Sequence, residues 1–167
     1  GAASHYYYDN ANPVLILDDQ GQVVRRRLYT RYTDQILAEA DSTGHRWLLT
    51  DQVGSVRDVI AAGGTPLTHY RYDTFGRRTA GALANDRATL TFNGLEFNSV
   101  DGSGHYRARS YLPELGRFAQ MDPKFPFGYS FVGSAPLTHS DPSGKTAILE
   151  YACFAVGAVF AACSIYS

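Results

Sequence analysis

The chain has 167 residues, 44% of them hydrophobic, which is enough for one packed domain or one piece of a larger body. Fifteen basic residues against sixteen acidic ones leave a net charge of -1, and this excludes a general electrostatic grip on nucleic acid or an anionic lipid surface. Twelve Tyr and nine Phe, beside one Met and one Trp, suit half-buried strands, where a flat ring packs on the pleat and a hydroxyl reaches water.

In chain order, Tyr6-Tyr7-Tyr8 reads as a strand running into Asp9-Asn10-Ala11-Asn12-Pro13, and Val14 to Leu17 as its partner. An Asp18 to Gly21 corner leads to Gln22-Val23-Val24, a strand that Arg25-Arg26-Arg27-Leu28-Tyr29 continues. The three arginines read as a solvated sheet face, since the neutral total charge speaks against a nucleic-acid patch. Thr33 to Ala40 carries helical composition, but between hairpins it reads as a strand with an irregular end. Trp47 to Thr50, Ser55 to Ala61 and Leu67 to Tyr72 are further strands, Ala80 to Arg87 a loop, and Thr89 to Phe92 with Glu96 to Asn98 a last hairpin about Asn93-Gly94.

One corner recurs. Asp-x-x-Gly stands at Asp18 to Gly21, Asp41 to Gly44, Asp51 to Gly54, Asp73 to Gly76, Asp101 to Gly104 and Asp141 to Gly144. Asp at the first position accepts from backbone N–H groups just ahead, and Gly at the fourth tolerates the positive φ that leads into the next strand. The chain is therefore expected to be all-β, a meander of short antiparallel hairpins followed by one hydrophobic C-terminal helix.

Several of these segments together resemble the Rhs/YD-repeat family: Thr50-Asp51-Gln52-Val53-Gly54-Ser55-Val56-Arg57, His69 to Arg77, Phe92-Asn93-Gly94, and Gly104 to Phe118 with Asp122-Pro123 and Asp141-Pro142-Ser143-Gly144. The last group is similar to the family's C-terminal core region, and the match spans roughly residues 5 to 145. The resemblance implies repeats that wind into a hollow β shell holding a C-terminal polypeptide, often a toxin, and a plug that severs it by aspartyl-type self-cleavage. It divides the chain into a hairpin region at 1–118, a plug-like segment at 119–145 and the tail at 146–167.

The resemblance also names the residues for that cleavage: Asp122, with Arg117 as its organiser, and Asp141 as the second carboxylate. Two adjacent carboxylates share a proton, so one serves as acid while the other activates water. A turn role for both aspartates is the competing reading. Where the family has Leu at the cut, this chain has Lys145, whose ammonium resists an apolar pocket, and the stretch before it is short. Cleavage near Lys145 is therefore expected to be lost. His5, His45, His69, His105 and His139 lack metal-ligand spacing, so no metal and no cofactor is expected.

Beyond Lys145 the composition shifts: residues 146–167 hold a single charge, Glu150, and no proline. The alanines favour helix, and the length suffices for a bilayer. Cys153, Gly157 and Ala161, with Ala158 and Ala162 alongside, would form a small-residue ridge for close packing. Ten residues of helix span about 15 Å, so Cys153 and Cys163 cannot bridge within one helix. The interior of a shell, other copies of the chain, or lipid could cover such a segment.

With Met121 as its only methionine, a chain that starts at Gly1 is expected to have been trimmed or cut. The functional expectation is an extracellular or cell-surface structural module of an Rhs-like shell that packs its own tail, with the rest of the shell as partner. The alternative is a self-assembling filament or surface subunit built from copies of itself.

Overall fold

Strand alternation broken about every ten residues by an Asp corner produces a meander. The computed structural model describes residues 4–81, 90–98, 100–122 and 128–145. Seven strands form one antiparallel sheet: β1 (His5–Asp9), β2 (Asn12–Leu17), β3 (Val23–Tyr29), β4 (Ile36–Asp41), β5 (Gly44–Thr50), β6 (Val56–Ala61) and β7 (Pro66–His69). They pair strictly in sequence order, so among the described residues β1 and β7 each keep one open edge. Every neighbouring pair except β4 with β5 carries a register shift, and such bulges bend a sheet and increase its twist. Two smaller sheets follow: β8 (Arg71–Tyr72) with β9 (Arg78–Ala80), and β10 (Gly104–Tyr106) with β11 (Arg109–Leu112) and β12 (Arg117–Phe118). The only helical pieces among the described residues are three single 3-10 turns.

The corners work as their chemistry requires. The carboxylate of Asp18 accepts from the N–H groups of Gln20 and Gln22, that of Asp51 from Val53 and Ser55, and that of Asp73 from Phe75 and Arg77. In each, the N–H of the fourth-position glycine closes the turn onto the aspartate carbonyl. The Asp101 copy is displaced: the N–H of Gly102 closes onto the Asn98 carbonyl, and Gly104 lies inside β10. Asn98, whose side chain accepts from Val100 N–H, has taken the first corner.

Three other expectations are corrected. Leu67 to Tyr72 is two strands in two sheets, because Tyr70 turns inward to complete burial and donates its N–H to the Arg57 carbonyl. Ala80 ends β9 rather than starting a loop; residues 82–89 lie outside the described residues. The arginine triplet is not a solvated face. Arg26 is exposed, but alternation aims Arg25 and Arg27 at the other face, and Arg27 is buried. The expected tail helix at 146–167 lies outside the described residues, and among the described residues no helix is long and apolar enough to cross a membrane.

Register explains the buried arginine. Arg27 on β3 stands opposite Glu39 on β4, which stands opposite Arg46 on β5. Glu39, 2% exposed, takes Arg27 Nε at 2.9 Å on one oxygen and, on the other, Arg46 Nη2 at 2.8 Å, with Arg25 Nε at 3.6 Å. Glu96, from beyond the sheet, takes the far side of the Arg27 guanidinium at 2.5 Å. Burial works against that guanidinium's charge, and the carboxylates of Glu96 and Glu39 outweigh it, so Arg27 holds its proton more firmly than in water.

Beside this ionic row the same sheet face turns apolar. Ile36, Leu48, Val56 and Val59 pack with Tyr70 and Leu90 in one cluster, and Phe92, Leu95, Tyr106, Tyr111, Phe118, Phe131 and Val132 form a second, aromatic one. Tyr72 packs against both. The joint between them is the Phe92-Asn93-Gly94 turn, where Asn93 and Gly94 take φ of 52° and 67°, the pair of positive angles an Asn-Gly turn supplies. Asn93 donates its side-chain amide to the Val53 carbonyl at 2.9 Å, accepts the Tyr106 hydroxyl at 2.7 Å and donates its backbone N–H to Ser55 Oγ at 3.0 Å. Asn93→Ala is expected to destabilise the protein by about 2–3 kcal/mol, since it leaves a buried hydroxyl and a carbonyl without partners; denaturant melts of the two proteins check it.

A candidate carboxylate site beside the β10–β11 turn

Tyr106 and Arg109 are the last paired residues of the β10–β11 hairpin, so Arg107 and Ala108 form its tip, with Arg107 at φ 49°. Residues 141–145 run along that tip. The Asp141 corner closes by Gly144 N–H to its carbonyl at 3.1 Å, and Ala108 N–H reaches the Ser143 carbonyl. Gly144 sits at φ 66°, and a Cβ there would lie 2.0 Å from the Tyr106 carbonyl oxygen, so this approach admits glycine alone.

Two guanidiniums grip the segment. Arg107 donates to the Pro142 carbonyl, to the Ala11 carbonyl at 3.0 Å, and to both oxygens of Asp34 at 2.6 and 2.9 Å. It thereby ties the C-terminal corner to the first and third hairpin connections of the large sheet. Burial raises the Asp34 carboxyl above its ordinary value, opposed by the Arg107 hydrogen bonds. Arg109 lies with its guanidinium carbon 3.6 Å from the centre of the Phe118 ring, donates through Nε to the Gly144 carbonyl, and offers its two remaining nitrogens to two carboxylates. Nη1 is 3.1 Å from Asp122 Oδ2, and Nη2 is 3.2 Å from Asp141 Oδ2.

The structure thus brings Asp122 and Asp141 to one group, and that group is Arg109. Arg117 is elsewhere, on β12, with its guanidinium 5.8 Å from the centre of the Tyr129 ring. Asp141 is 2% exposed, and its other oxygen accepts Ser143 Oγ–H and Lys145 N–H at 3.0 and 3.1 Å. Asp122 donates its backbone N–H to the Gly128 carbonyl at 2.7 Å. The Arg109 guanidinium thus lies between the two carboxylates as a shared counter-charge. Asp141 anchors its own corner, and both aspartates are salt-bridged to a common arginine. Arg107 and Arg109 were visible in the sequence as alternate positions around Ala108, yet only the crossing of residues 141–145 over the hairpin tip gives them partners. Cys153, Gly157, Ala158, Ala161 and Ala162 lie outside the described residues. Among the described residues no cluster of His, Cys, Asp and Glu has the grouping of a metal site.

No family model matches the chain. Salivary gland surface protein 1 of Aedes aegypti is 35% identical over 105 residues, covering 60% of this chain and 3% of that protein. Among solved structures, TcdB2-TccC3-Cdc42 aligns at a TM-score of 0.62 and 19% identity over 78% of this chain and 7% of that one. A Photorhabdus luminescens Tc holotoxin pore with a TccC3 variant aligns at 0.63 and 17% identity over 89% of this chain and 8% of that one. The chain therefore spans a small fraction of each of these proteins. The likeness to these Rhs-repeat-containing toxin proteins establishes an Rhs-like β-sheet fold.

Proposed function

We propose that this chain is a non-enzymatic structural module of an Rhs-like β shell, extracellular or cell-surface, that packs its own apolar segment 146–167. The observation that carries the proposal is the large sheet itself: a meander in strict sequence order, bent by bulges and, among the described residues, open at both β1 and β7. Such a sheet has edges that neighbouring repeats satisfy, and its fold recurs in toxin proteins many times its length. The surface-protein relative supports an extracellular or surface setting. Residues 1–118 act as the hairpin wall, 119–145 as the plug-like segment, and the Arg109 triad as the fastening that holds its end.

Self-cleavage is lost in this reading, because the two aspartates hold an arginine and a turn. Intact-mass and N-terminal analysis of purified full chain is expected to show no product beginning at Thr146, with Asp122→Asn identical to the parent. A Thr146 terminus that Asp122→Asn abolishes would overturn this.

The exposed outer face of the large sheet favours a second reading. Leu28, Ala38, Trp47 and Ile60 stand in one cross-strand row, with Leu28 and Trp47 54% and 45% exposed, an apolar strip that suits contact between copies. Light scattering separates the two readings: a discrete small species supports the shell module, and long polymers that vanish when residues 146–167 are deleted support a filament.

A further inference from the structure

The sheet face that carries Ile36, Leu48, Val56 and Val59 is covered by Leu90 and Tyr70, and Ile16 of β2 is buried on it, but among the described residues β1 at the sheet's edge stays exposed. There Tyr6 and Tyr8, 36% and 58% exposed, stand over a recess of about 320 Å³ walled by Tyr29, Leu90, Leu95 and Arg107. The Tyr6 and Tyr8 rings are 6.4 Å apart and tilted by 34°, and the Tyr6 hydroxyl is anchored on Glu96 at 3.1 Å. The volume is at the small end of the range for ligand pockets, about 300–1,000 Å³, and the apolar wall with a few fixed polar groups suits an aromatic ring.

The path of the chain supplies the occupant. Arg107, a wall of the recess, holds the Pro142 carbonyl with the same guanidinium that holds Ala11 and Asp34, both of which also line it. Lys145, the last described residue, stands three positions beyond Pro142, and residues 146–167 that follow it carry Tyr151, Phe154, Phe160 and Tyr166 within an almost uncharged run. The apolar row on the opposite face is flanked by Arg26, His45 and the Asp58–His69 pair.

We propose that the tyrosine-lined recess seats an aromatic side chain from residues 146–167 of the same chain. This rests on the reading that the module packs its own apolar segment, and it names the receiving surface.

The chain's two cysteines, Cys153 and Cys163, both lie in that segment, so one introduced thiol reports where the segment goes. From Lys145, Cys153 can reach about 27 Å and Cys163 about 60 Å in extended form, so chain length alone does not favour either face. Full-chain Tyr8→Cys and Trp47→Cys variants, both at exposed positions, are oxidised, and the disulfides are mapped on the monomeric fraction. Tyr8→Cys is expected to bridge Cys153 or Cys163 about tenfold faster than Trp47→Cys, as raised local concentration requires. A bridge from Trp47→Cys alone, or bridges only between chains, overturns the assignment. When neither variant bridges, labelling of the parent with a bulky maleimide divides the outcomes: protected thiols overturn the recess and leave the packing reading standing, and thiols as reactive as in denaturant overturn both.

Discussion

Glu39→Ala is expected to lower unfolding stability by about 3–5 kcal/mol, or roughly 10 °C in Tm for a chain of this size. The loss exceeds that of a surface ion pair because of where the charges sit. The Arg27 side chain is 0% exposed and the Glu39 side chain 1%, whereas Arg25 and Arg46 sit at 17% and 18% and can turn to water. Removing the carboxylate takes from Arg27 its 2.9 Å contact with Glu39 while the one to Glu96 at 2.5 Å stays, in a site where an incompletely compensated charge is costly. A double variant, Arg27→Met with Glu39→Leu, removes both desolvation penalties and is expected to recover most of the loss; Glu96, 21% exposed in its side chain, can then hydrate. Denaturant melts of the four proteins form the cycle. A Glu39→Ala change within about 0.5 kcal/mol of the parent, the range of ordinary surface substitutions, would mean that water reaches the row.

That row also marks the limit of what the sequence makes legible. The corners were readable because a single residue carries each one: Asp18, Asp51 and Asp73 hold their own backbone, and no distant partner is needed. The strands were readable from alternation for the same reason. Arg27 was misread because its burial depends on register, which sets Glu39 opposite it, and on Glu96, nearly seventy positions later; neither is encoded within its own strand. Tyr70 was misread because two sheets meet there, a tertiary fact that local β propensity does not carry. At the candidate site the motif identified Asp122 and Asp141, but Arg109 is joined to them only after residues 141–145 cross the β10–β11 tip. The arginine five positions before Asp122 in the motif, Arg117, lies on a short strand and reaches Tyr129 instead.

Raising the pH to about 11 is expected to unfold the protein in one cooperative step, and the cause is its tyrosines. Burial first of all pushes the hydroxyls of Tyr29, Tyr72, Tyr106 and Tyr111 well above the ordinary phenol value. Three of them also donate to neutral oxygens at 2.7 Å, Tyr72 to Val56, Tyr106 to Asn93 and Tyr111 to Phe75, bonds that exist only while the phenol keeps its proton. Unfolded tyrosines ionise near pH 10. Above that value the unfolded state binds fewer protons than the folded one, so stability is complete below about pH 10 and falls as the pH rises. Each phenol contributes about 1.4 kcal/mol by pH 11, and four together about 5–6 kcal/mol, which approaches the whole stability of a typical domain. Tyrosinate absorbance followed alongside circular dichroism checks this. The buried phenols should ionise together with the loss of β signal, and Tyr111→Phe should move the midpoint upward, since it removes one of the four linked protons. A gradual titration of every phenol near pH 10 with the β signal intact would place these rings in water, and the aromatic cluster of Phe92, Tyr106, Tyr111, Phe118 and Phe131 would not be a closed core.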